Sequence, residues 1–213
     1  MKALLRNLLP AATVLLLMQL AAAQVPSFAP FSADMQMSKT HGPQDITGQI
    51  FVGSGHLRMN LATAGHETAV ITDFATKTSD ILLLQQQMYM EYKADAMPAR
   101  GPGSGTQDLK PYDPEHPCSA QPDLTCKKIG VEEVNGRTCD HWEMTDNQGR
   151  VSNVWIDQKL HFPIKVVSQD STMTLTNIKE GQPDASLFQI PAGFHNMDMS
   201  GMLPPGAAGP PKQ

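Results

Sequence analysis

The segment after the last predicted strand carries the side chains with the clearest capacity for chemistry. Imidazole nitrogen and thioether sulphur are ligands for Cu(I), a soft metal ion that exported proteins meet. The segment predicts either a Met/His-rich copper site or a flexible apolar tail whose methionines pack without a metal. We favour the second interpretation, so no metal or other cofactor is predicted. The candidate ligands of the copper alternative are His195, Met197, Met199 and Met202.

Sequence patterns of known catalytic sites are missing from this chain. Gly53-Ser54-Gly55 and Gly103-Ser104-Gly105 are loop sequences and do not match the G-x-S-x-G nucleophile elbow. Asp140-His141-Trp142-Glu143 contains acid and base groups, but neighbouring strand residues point to opposite faces. We interpret that run as a solvated polar strand face, with Trp142 and Trp155 as core anchors. No catalytic residue is predicted, and the chain is not expected to be an enzyme.

The N-terminus has the layout of an export signal. Lys2 and Arg6 precede an apolar run from Leu8 to Leu20, and three alanines end at Ala23. This layout predicts a signal peptide over residues 1–23, cleaved before Gln24. The alternative is a transmembrane anchor, but the run is short and polar-interrupted for a bilayer that needs about 20 apolar residues. We therefore expect a periplasmic or secreted protein with no stable transmembrane anchor after cleavage.

The charge balance limits the kinds of partner. The formal net charge is −5, and no basic stripe could neutralise a run of phosphates. Nucleic acid is therefore not an expected partner. The sequence does not predict an oligomeric state.

Short β-prone runs separated by turn residues cover most of the chain. Gly53-Ser54-Gly55 and Asn135-Gly136 supply the hairpin chemistry that needs positive φ. The predicted fold is mainly β, a strongly curved antiparallel meander forming an incomplete barrel, with little helix covering the concave face. A helix over Ile81–Tyr92 is the alternative for one part of it. The predicted strands are Phe31–Ser38, Ile46–Val52, His56–Leu61, Glu67–Thr72, Asp80–Leu84, Met88–Tyr92, Lys127–Val134, Arg137–Thr145, Val151–Asp157, Phe162–Ser168 and Thr172–Ile178.

The chain is long enough for one domain, which we place at residues 24–198. A Pro/Gly-rich loop insertion interrupts it at residues 93–125, and residues 199–213 form a Pro/Gly tail expected to be disordered. Export favours disulfides, and we favour Cys118–Cys126 because it would pin the loop. A Cys126–Cys139 bridge is the alternative. In the favoured pairing, Cys139 is a small buried strand residue.

The order of several motifs resembles the superfamily of the periplasmic outer-membrane lipoprotein carrier protein, and above all its uncharacterised exported bacterial members, the domains of unknown function. No single motif is specific, but their order and spacing together are moderately so. The motifs are a Gly-opened strand at Gly48–Val52, an Arg-bearing strand at His56–Met59, a strand ending in Asp at Ile71–Asp73, Trp155-Ile156-Asp157, Phe162-Pro163-Ile164-Lys165, and a closing Leu187–Gly193.

The resemblance implies an open, curved half-barrel whose apolar cavity accepts acyl chains of lipidated partners. We therefore predict an exported, non-catalytic binding protein that holds an acyl chain or other apolar ligand, with a lipid or lipidated protein as partner. An envelope interaction or stress-sensor module is the alternative, beside the copper alternative above. The residues expected to line the concave face are Leu57, Met59, Ile81, Leu83, Met88, Met90 and Trp155.

Overall fold

The computed structural model describes residues 28–39, 46–63, 65–93, 115–119 and 123–197. These residues form one open sheet of twelve strands that does not close into a barrel, which confirms the predicted fold class. A 3₁₀ turn at Ala185–Phe188 is the only helical segment in the described part of the chain. The strands are β1 (Phe31–Lys39), β2 (Ile46–Gly53), β3 (His56–Thr63), β4 (His66–Asp73), β5 (Thr78–Leu83), β6 (Met88–Lys93), β7 (Leu124–Val134), β8 (Arg137–Asp146), β9 (Val151–Asp157), β10 (Phe162–Val167), β11 (Ser171–Glu180) and β12 (His195–Asn196).

Strand order departs from the prediction at two places. The sheet runs β12-β6-β5-β4-β3-β2-β1-β11-β10-β9-β8-β7, so it consists of two meanders joined by the antiparallel pair β1–β11. The meander is interrupted once, because β6 and β7 are separated by residues 94–123 and are not neighbours. The pairing of β1 with β11 places Met35 opposite Leu175 and aligns their apolar side chains. Strand β12, which pairs in parallel with β6, was not predicted.

The predicted hairpin turns are present. Ser54 and Gly55 have φ of 52° and 75°, and Asn135 and Gly136 have the same pair of values. Positive φ at both central residues is the geometry of the type I′ turn, which matches the twist of antiparallel strands. The alternative helix over Ile81–Tyr92 is wrong, because β5 and β6 form a hairpin in that region.

Strand β2 contains a glycine, Gly48, that the sheet requires. A Cβ on Gly48 would lie 2.0 Å from the backbone carbonyl oxygen of Asn60 on β3. No side chain fits at that distance, so the close approach of the two strands depends on Gly48.

Aromatic side chains join the two meanders at the main core. The ring of Phe162 lies 5.1 Å from that of Phe28 and 5.2 Å from that of Phe31, both edge-on. Phe28 also contacts Phe74, at the end of β4, at 5.9 Å. Since Phe74 and Phe162 come from opposite meanders, this cluster curls the sheet upon itself. The same core contains Leu57, Trp155, Leu160, Ile164 and Leu175.

A buried ion pair fixes the turn after β9. The Asp157 carboxylate accepts hydrogen bonds from Arg137 Nε at 2.5 Å and Nη2 at 3.2 Å. It also accepts the backbone N–H groups of Lys159 and Leu160 at 2.9 and 2.7 Å. Burial alone would raise the pKa of Asp157, but these bonds hold that pKa below its usual value. The Trp-x-Asp motif thus combines a core ring with a turn-fixing carboxylate.

The predicted Cys118–Cys126 disulfide is present, with a Cα–Cα distance of 5.8 Å. Cys139 is free and fully buried in β8, and burial raises the pKa of its thiol to about 11. Three predicted segments fall wholly or mostly outside the described residues: the predicted signal peptide at residues 1–23, the predicted loop at residues 93–125 and the predicted tail at residues 199–213.

Candidate functional site: the inner face of the sheet

Six of the seven predicted lining residues lie on one face of β3 to β6. Directly opposite residues of an antiparallel pair share a face, so the register assigns each side chain. Met59 lies opposite Val70, Val70 opposite Ile81, and Ile81 opposite Met90. This face also carries the main core, and we call it the inner face. The apolar strip on it consists of Leu57, Met59, Ile81, Leu83, Met88 and Met90.

Burial changes along this strip. Leu57 is fully packed in the main core, and Met59 packs against that core while remaining partly exposed. Ile81, Leu83 and the two methionines of β6 are all half-buried. The inner face is therefore packed core near β1 to β3 and a partly exposed apolar surface at β5 and β6.

A cleft of about 540 Å³ lies at one end of these strands. Asn60 and Glu67, which line it, pair with Ala69 and Ala62 and lie on the face opposite the apolar strip. Leu61 and Thr68 of the inner face also border the cleft. Most of the cleft therefore lies behind the strip and does not extend it.

Trp155, the seventh predicted residue, belongs to a polar cluster in the other meander. Its ring is buried in the main core and stacks on the His141 ring at 4.3 Å, with 12° between the planes. Trp155 Nε1 donates to Glu132 at 2.8 Å, and Lys165 Nζ lies 4.4 Å from the Trp155 ring centre. The hydrogen bond from Trp155, with a second one from His141, holds the pKa of Glu132 below its usual range.

The prediction of a solvated polar face around His141 is wrong, because the imidazole is buried between hydrogen-bonding partners. Its Nδ1 donates to Glu132 at 2.8 Å, and its Nε2 lies 2.8 Å from Asn153 Oδ1. Both nitrogens are already occupied, and this cluster binds the inner face of β7 to β10 together.

The C-terminal segment covers the outer face of β3 to β6. Arg58 Nη1 donates to the carbonyl of Leu187 at 2.7 Å, and His56 stacks on Phe188 at 5.5 Å. Phe194 then packs on a small core that contains Ile71 and Leu82. The closing Leu-Phe and Pro-x-Gly motif therefore lies behind the apolar strip. A coverage of this kind leaves the inner face as the accessible apolar side of these strands.

One carboxylate on the outer face has an oxygen without a hydrogen bond. Asp80 Oδ1 is buried and has no hydrogen-bond partner among the described residues, and Glu91 lies opposite Asp80 on β6. Desolvation, with a smaller effect of the Glu91 charge, raises the pKa of Asp80 to about 6. Sequence reasoning missed this group, because its burial depends on the β5–β6 pairing.

Within residues 28–39, 46–63, 65–93, 115–119 and 123–197, no group of three or more His, Cys, Asp or Glu could hold a metal ion. The copper alternative has four candidate ligands. His195 lies in β12 and Met197 directly follows that strand. Met199 and Met202 fall outside the described residues. No helix in the described part is long and apolar enough to span a membrane.

The fold is an open half-barrel in which the C-terminal segment covers the outer face of β3 to β6. The chain belongs to the family described as "Domain of unknown function (DUF4412)", whose model matches residues 31–161. This confirms the predicted relation to domains of unknown function. No curated protein matches the sequence.

Several solved structures are similar to this chain at low sequence identity. An uncharacterised conserved protein from Thermus thermophilus is 8% identical, with a TM-score of 0.54 over 83% of this chain and 94% of the other. MucB, also solved as a Pseudomonas aeruginosa MucA/MucB complex, is 18% identical, with a TM-score of 0.50 over 80% of this chain. This chain spans 60% of MucB. A LolA superfamily protein from Nitrosomonas europaea is 9% identical, with a TM-score of 0.41 over 79% of this chain and 94% of the other.

Proposed function

We propose that the protein is an exported, non-catalytic binding protein that holds an acyl chain or another apolar ligand against the inner face of its sheet. The observation that carries the proposal is the exposure pattern of the apolar strip. Ile81, Leu83, Met88 and Met90 stay half-buried on the inner face, while the C-terminal segment covers the outer face of the same strands. Methionine adapts its shape to varied apolar partners, which suits flexible chains.

The location of the protein forms part of the proposal. An exported chain with an N-terminal signal would meet lipids and lipidated proteins in the periplasm or outside the cell. The disulfide between Cys118 and Cys126 is consistent with such an oxidising compartment. Catalysis forms no part of the proposal, since both ring nitrogens of His141 are already hydrogen-bonded.

Titration with a long-chain fluorescent fatty acid tests the proposal. Met90→Glu places a carboxylate on the apolar strip and should weaken binding at least tenfold, because a buried unpaired charge costs about 1.4 kcal/mol or more. Ile129→Glu, at an exposed position on β7, is the matched control and should bind as the unaltered protein does. If both variants bound the fatty acid equally well, the apolar strip would not be the binding surface. Far-UV circular dichroism confirms that both variants fold.

A further inference from the structure

Strand β7 is the free edge of the sheet. It pairs with β8 on one side, and no described strand lies on its other side. Its eleven residues include two of the three exposed large hydrophobic side chains in the described part, Ile129 at 46% and Val131 at 57% exposure. An exposed edge of this length with apolar side chains is a template for pairing with another strand.

The first half of β7 carries positive side chains and the second half carries negative ones. Lys127 and Lys128 precede Gly130, and Glu132 and Glu133 follow it. The register with β8 places Lys127 and Glu132 on one face, opposite Glu143 and Cys139. Lys128 and Glu133 lie on the other face, opposite Trp142 and Thr138. Each face of the edge strand therefore carries one lysine before the glycine and one glutamate after it.

This order makes the strand complementary to itself in the antiparallel direction. We propose that β7 pairs with β7 of a second copy, forming an edge-to-edge homodimer with two-fold symmetry. With Ile129 opposite Gly130 of the second copy, Lys127 lies opposite Glu132 of the second copy, and both share the inner face. Lys128 and Glu133 of the second copy are then diagonal neighbours within reach of long side chains.

The geometry of Gly130 fits this arrangement. A Cβ built on Gly130 meets nothing within 4 Å, so the face of the strand is open at its centre and no bulky group hinders the long side chains on either side of Gly130. Ile129 lies at a bulge, where the register with β8 shifts between Lys128 and Gly130. The bulge puts lysines and glutamates that are five apart on a common face, which an unbroken strand could not do. An isologous contact of this kind closes on two copies and does not extend into a fibre.

Sedimentation velocity of the full chain, from about 1 µM to about 200 µM, measures the association, since a single strand pair is a small interface of the weak class. We expect a monomer–dimer equilibrium that weakens at high salt, because exposed charge pairs are screened. Val131→Lys should weaken the dimer at least tenfold. Val151→Lys, at an exposed position on β9, should leave it unchanged. A monomer over the whole range would overturn the proposal and would indicate that the lysines and the bulge only protect the edge.

Charge reversal tests the register. Lys128→Glu and Glu133→Lys each change one member of the diagonal pair. Lys128 also pairs with Asp140 of its own chain at 2.8 Å, so far-UV circular dichroism checks that Lys128→Glu folds. Each variant alone should dimerise at least tenfold more weakly, because residues 128 and 133 of the two copies then carry like charges. A mixture of the two should recover the association, because a copy with two glutamates at these positions then meets a copy with two lysines. No recovery in the mixture would exclude the antiparallel β7 pairing.

Discussion

Asp157→Asn removes the buried charge at the end of β9 with almost no change in shape. In the unaltered protein the carboxylate is nearly inaccessible and accepts two hydrogen bonds from Arg137 and two from backbone N–H groups. The new amide keeps an oxygen for the two backbone groups. Its NH₂ group cannot accept from Arg137, so the guanidinium loses its main anionic partner.

The magnitude follows from what Arg137 retains. Breaking a buried ion pair by removing one partner costs about 3–5 kcal/mol. Here the Arg137 side chain is 19% exposed and keeps a 2.9 Å hydrogen bond to Glu180, so part of its charge stays compensated. We expect the free energy of unfolding to fall by about 2–3 kcal/mol at pH 7.

Urea denaturation at pH 7 and at pH values below 3.8 measures this loss. The pKa of Asp157 is held below its usual value of 3.8 in the folded protein. A carboxyl group of this kind stabilises the fold above its unfolded pKa, and this stabilisation is lost as the pH falls through the folded pKa. The difference between the unaltered protein and Asp157→Asn should therefore shrink on acidification. Asp170→Asn, in the exposed turn before β11, is the control and should stay within about 0.5 kcal/mol. An Asp157→Asn variant as stable as this control at pH 7 would refute the reasoning.

Three further changes test other parts of the fold. Gly48→Ala should lower the free energy of unfolding by about 1–3 kcal/mol, because the new Cβ would lie 2.0 Å from a backbone carbonyl oxygen. Gly130→Ala is the control, because its Cβ would lie in open space. Equal losses of stability in urea denaturation would contradict this reasoning. Asp80→Asn should stabilise the fold by about 1 kcal/mol at pH 7.5. The raised pKa of the carboxyl group costs stability as the pH rises from 3.8 to about 6, so the gain should vanish below pH 3.8. A gain that does not change with pH would exclude this cause. Replacing Cys118 and Cys126 by serine should cost about 2.5 kcal/mol through the entropy of the unfolded chain, and thermal unfolding at unchanged midpoint would contradict it.

Local patterns were sufficient to predict most strands of this fold. Alternating side chains and turn residues such as Asn135-Gly136 depend on neighbours within a few positions, so eleven strands and their hairpins follow from the sequence. The common face of Met59, Ile81 and Met90 follows from the same period of two.

Long-range pairings could not be predicted in this way. The β1–β11 pair joins residues such as Met35 and Leu175, and no local signal indicates that these strands meet. The same applies to β12, which is only two residues long and is held by the backbone of β6. The burial of His141 also depends on Glu132 and Asn153 from neighbouring strands, and the polar composition of β8 alone suggested a solvated face.

Native mass spectrometry of the full chain, exported and purified without detergent, tests the central claim most directly. The account predicts a population carrying one apolar ligand, which organic extraction releases as a molecule with an acyl chain. The Met90→Glu variant should lose this population, and the Ile129→Glu variant should keep it. Unliganded protein alone, with no lipid in the extract and no binding of added fatty acid, would contradict the account.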